Sequence, residues 1–128
     1  MMMPANSPLC WCDSGEVETY IHCFYTCSKN QDAAAAMLRC AQSYDDQLTQ
    51  EKSLSLQLRA DEVFSLATIT ILSTGLEMIW ANMQHKKVTT CFMMRAELEC
   101  AVSFRRRSRN RLIKEAGDVI ENILNNFF

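Results

Sequence analysis

What most constrains this chain is an absence: no proline stands between Leu9 and Phe128, and only Gly15, Gly75 and Gly117 supply glycine. Sheet proteins turn every few residues and draw on glycine and proline for positive or fixed φ at those turns. Long helices need neither and are broken by both. The expectation is therefore all-α: a bundle of four to five amphipathic helices, with a long C-terminal helix if the last two run together. A chain of 128 residues, 48% apolar or aromatic and 22% charged, has the side chains to fill one core without disulfides. Residues 1–12 read as a flexible N-terminal arm and residues 13–128 as a single helical domain.

Hydrophobic periodicity places the helices. Asp13 to Glu16 has the form of a capping box, followed by Val17, Tyr20, Ile21, Phe24 and Cys27 on one helical stripe ending near Ser28. Asp32 is the expected cap of a second helix, whose alanines 33–36 lead into Met37, Cys40, Tyr44 and Leu48. Ser53 to Leu58 alternates like a strand, but no turn residues bracket it, so helix is expected there. Ile69, Leu72, Leu76, Ile79 and Met83 form a heptad seam in a third helix, where Gly75 leaves room for a neighbour. Thr89 or Thr90 caps a fourth, with Cys91, Met94, Leu98 and Ala101 on its stripe. Ile113, Ala116, Ile120, Ile123 and Phe127 form the last seam, and Ser103–Asn110 is the segment where a break would fall.

Charge is segregated. Residues 1–83 carry a net −6, residues 84–114 a net +7 and residues 115–128 a net −3. The basic block centres on Arg105, Arg106, Arg107, Arg109 and Arg111, a segment suited to an acidic protein surface or to phosphates. It also frames Ser108 for a basic-directed kinase. An overall pI of 5.7 and the lack of an aromatic ladder weigh against nucleic acid.

The seven cysteines suggest no disulfide framework, and with eight methionines they fit a reducing compartment, the cytoplasm, or a nucleus reached through the arginine run. The start has no secretory pattern, and the uncharged stretch from Val63 to Leu76 is too short to span a membrane. Cys10, Cys12, Cys23 and Cys27 fall close together with His22, but C-x-C and C-x3-C are poor matches to paired zinc knuckles. Cys23 and Cys27 also share the stripe assigned to the core, so ordinary thiols, no metal and no cofactor are expected. No nucleophile elbow, phosphate loop, dinucleotide fingerprint or H-E-x-x-H occurs, so no catalytic residue is assigned and no enzyme is expected.

These observations lead to a non-enzymatic helical interaction module such as an adaptor, a chaperone-like binder or a small subunit of a complex. Its expected contacts are the apolar seams, through Met93, Met94, Ile120, Ile123, Phe127 and Phe128, and the basic segment 105–111. The partner is a protein or a second copy of the chain. The alternative is a nucleic-acid-binding regulator acting through the arginines.

Overall fold

A computed structural model describes residues 10–12, 15, 19–55 and 66–127; the main chain alone is described at positions 55 and 127. Among the described residues all regular structure is helical: a π turn at His22–Thr26, then α1 (Gln31–Gln42), α2 (Gln50–Ser55), α3 (Leu66–Gln84), α4 (Cys91–Arg106) and α5 (Arg111–Phe127). The all-α expectation holds.

α3 is the central helix and packs against α1, α4 and α5. Leu72, Leu76, Ile79 and Met83 are buried, and Ile69 is half-buried. Thr68, Thr70 and Ile71 are buried as well, so the helix is enclosed on more sides than a single seam. Burial at that level outweighs the few tenths of a kcal/mol by which β-branched residues disfavour helix. The helix closes with Lys86 at a left-handed φ of 52°, while the Lys87 N–H donates to the Asn82 carbonyl and the Lys86 N–H to that of Met83. This double bond across a left-handed residue is the Schellman closure.

α1 forms because four alanines open it, and Ala33, Ala34, Met37, Cys40 and Ala41 are all fully buried. Its cap is Asn30 rather than Asp32, which falls in the first turn and still favours the dipole there. The expected stripe stops at Gln42. Tyr44 is exposed, and Leu48 reaches the core from the connecting loop. α2 makes Ser53–Ser55 helical, while the rest of the alternating segment lies outside the described residues, as do Asp13, Ser14 and Glu16 of the capping box, Val17 and Phe128.

The C-terminal alternatives resolve into a hairpin, not one long helix. Thr90 caps α4, its hydroxyl accepting from the Met93 N–H at 3.1 Å. α4 ends at Arg106, and Asn110 caps α5 by accepting from the N–H groups of Leu112 and Ile113. Across the hairpin Arg106 pairs with Asp118 at 3.1 Å and Glu121 at 2.7 Å. Gly117 lets the backbone of α4 come close at Arg106.

The first helical element departs most from expectation. The Cys27 N–H donates to the His22 carbonyl five residues back, at 2.7 Å, so the last turn is π rather than α. Cys27 then leaves the helix in extended conformation. The wide turn separates two thiols that an α-helix would place on one face. Cys23 joins the main core, and Cys27 joins a small second cluster with Cys10, Cys12 and Trp11.

Candidate functional sites

The second cluster is the first of two candidate sites. Cys10 and Cys12 come from the arm, and His22 and Cys27 from the two ends of the π turn. One ligand atom from each of these four residues lies within 4.8 Å of all the others, and all four side chains are buried. The Cys10 and Cys27 sulfurs are 3.5 Å apart, and the Cys12 sulfur is 3.3 Å from His22 Nε2. His22 Nδ1 lies 2.9 Å from the Thr26 hydroxyl, which fixes the ring and turns Nε2 toward the sulfurs.

Burial dominates the electrostatics. It pushes the Cys27 thiol up to about 12, against the partial relief given by the Lys29 N–H, and it raises Cys10 in the same way. Trp11, between the two arm thiols, is half-buried under the Lys29 ammonium, which stands 5.2 Å from the ring centroid. Asn30 ties the turn to the core by donating from Nδ2 to the Cys23 carbonyl at 2.7 Å. Thr89 donates its N–H to the Lys29 carbonyl, and its hydroxyl accepts from Asn82. The segment behind Cys27 is thereby held to α3.

The second site is the turn between α4 and α5, where the five arginines do not act as one patch. The half-buried Arg105 donates from Nε to the Thr70 hydroxyl at 3.2 Å and from Nη1 to the Ala101 carbonyl. Arg106 is held by Asp118 and Glu121, and the exposed Arg111 by Glu115 at 2.8 Å. Arg107 and Arg109 are exposed and meet no acid among the described residues. Two large apolar side chains flank them in sequence, Phe104 at 78% and Leu112 at 68% exposed.

Of the apolar contacts expected from sequence, Met94, Ile120 and Ile123 are buried in the chain's own core. The seams are used internally and present nothing there to a partner. Met93 is half-buried. The side chain of Phe127, and all of Phe128, lie outside the described residues. Exposed apolar surface sits instead at Phe104, Leu112 and Phe92, the residues off the heptad pattern, which periodicity could have singled out by their mismatch.

The groove between α4 and α5, about 240 Å³, is lined by Glu99, Ser103, Arg106, Glu121 and Asn125 among others and brings no histidine or thiol to its wall. No described helix is long and apolar enough to cross a membrane. No protein-family model, curated protein or solved structure matches the chain.

Proposed function

We infer that this chain is a non-enzymatic helical interaction module that docks a protein partner through the α4–α5 turn. The observation that carries this reading is the exposure of Phe104 and Leu112 on either side of Arg107 and Arg109. Interface centres favour large apolar anchors accompanied by arginine, and an unpaired arginine steers an acidic partner toward them. The rigid hairpin beneath supports the turn, since α4 and α5 pack closely and Arg106 ties them together.

A nucleic-acid role through the same arginines is the second reading. It is weakened because Arg105, Arg106 and Arg111 already have partners within the chain, and because α5 carries Glu115, Asp118 and Glu121. Phosphate binding gains from many free cations, each releasing counterions.

The test is a photo-crosslinking amino acid placed at position 104, with position 97 on the same helix as control. The expected result is a protein adduct of one defined mass at 104 only, lost when Arg107→Glu and Arg109→Glu are combined. Equal labelling at both positions, or an adduct that nuclease removes, would contradict the reading.

A further inference from the structure

We propose that Cys10, Cys12, His22 and Cys27 form a structural zinc site that staples the N-terminal arm to the π turn. Tetrahedral zinc holds sulfur at about 2.3 Å and imidazole nitrogen at about 2.0–2.1 Å, which sets ligand edges of about 3.8 Å between sulfurs and about 3.6 Å from sulfur to nitrogen. The observed edges of 3.5 Å for Cys10–Cys27 and 3.3 Å for Cys12–His22 are already within a few tenths of an ångström of those values. The full set within 4.8 Å needs only small side-chain rotations to close around an ion.

Two further features suit a metal better than a cluster of idle thiols. First, His22 is oriented from behind: the Thr26 hydroxyl engages Nδ1 and leaves Nε2 for a ligand, the arrangement usual for metal-bound histidine. Secondly, the π turn has a use here. It holds His22 and Cys27 at its two ends, facing one point, where an α-turn would have carried Cys27 to the Cys23 face.

Softness and geometry select the metal. Three thiolates and one imidazole in a closed, buried set favour zinc, and with no open position the site is structural rather than catalytic. Each of the three sulfurs exchanges its proton for a bond to the ion, three protons pass to solvent, Nε2 gives its lone pair, and no electron moves. The complex carries one net negative charge, and Lys29, folded over Trp11, places a cation beside the arm. The competing chemistry is a Cys10–Cys27 disulfide, which would leave Cys12 and His22 without a role.

The experiment is cobalt titration of the full-length chain, stripped of metal and kept reduced. One equivalent of Co²⁺ should give thiolate-to-cobalt charge transfer and the intense visible bands of tetrahedral coordination. Cobalt binding should release about three protons, and zinc should then displace the cobalt with no further release. Cys10→Ser lies outside the main core and should lose about a third of the charge-transfer intensity with helicity unchanged. Thr26→Val should weaken zinc by about 10–100-fold, as loss of a supporting hydrogen bond does. Cys23→Ser, Cys91→Ser and Cys100→Ser should keep the full spectrum. Weak octahedral bands, a spectrum that survives Cys10→Ser intact but not Cys23→Ser, or a Cys10–Cys27 disulfide that forms while zinc is present would each overturn the site.

Discussion

The thioether of Met37 in α1 lies over Gly75 in α3, in space that a side chain at position 75 would need, with the Met94 sulfur of α4 close beside it. Met37 and Met94 are both fully buried. A single missing side chain thus lets three helices meet at one point.

Gly75→Val should therefore destabilise the fold by about 3 kcal/mol or more, at the upper end of overpacking costs, even though glycine is itself a poor helix former. Chemical denaturation measures it. A neutral result would mean that α1 and α4 have room to withdraw, and that the close approach at Gly75 is not a requirement of the packing.

Burial separates two leucines on the C-terminal hairpin. Leu98→Ala, at a fully buried position, should cost about 2–5 kcal/mol. Leu112→Ala, at an exposed one, should fall within about 0.5 kcal/mol of zero. Equal costs would place the α4–α5 interface on the wrong faces.

The Tyr25 hydroxyl is hydrogen-bonded to Ser53 and buried, which pushes its pKa up to about 12 from an ordinary value near 10. Burial is the larger cause, and the Ser53 bond partly offsets it. Because the folded value is raised, the stability it contributes is whole below about pH 10. It is lost as pH rises toward 12, where the unfolded chain ionises first. The loss over that window is about 2–3 kcal/mol. Denaturation at stepped alkaline pH should show Tyr25→Phe losing less stability between pH 10 and 12 than the parent chain. Identical losses would remove Tyr25 from the account.

Thiol reactivity should follow exposure. Cys91 and Cys100 are exposed, whereas Cys23 and Cys40 are fully buried, and burial raises Cys40 to about 11. In native protein an alkylating reagent should modify Cys91 and Cys100 first, with Cys23 and Cys40 reacting only after unfolding. Peptide mapping by mass spectrometry reads this directly. Early labelling of Cys40 would show that α1 is not packed as described.

Where local chemistry decided the structure, the sequence was legible. Thr90 is a helix cap by its own hydroxyl, the 72–83 seam is buried by its period, and Gly75 marks a close approach by its missing side chain. The arginine segment was legible as charge but not as contacts. The commitment of Arg105 to Thr70, thirty-five residues away, is tertiary and leaves no local mark. The seams read as surplus surface because a heptad pattern does not say whether its partner is another chain or the next helix. The grouping of Cys27 with Cys10 and Cys12 was not legible for one reason. An α-helical spacing assigns Cys27 to the core with Cys23, and only the π turn redirects it toward Cys10 and Cys12. C-x-C-x9-H-x4-C spans the four clustered residues, but that pattern has meaning only once the turn is known.

The proposed zinc joins the arm and the π turn through one ion. Native mass spectrometry of the reduced, full-length chain, purified without chelator, tests it most directly. One dominant species is expected, heavier than the bare chain by one zinc less the protons it displaces, which reverts to the bare mass in acid. A dominant species at the bare mass, or one lighter by the two hydrogens that a disulfide releases, would contradict it.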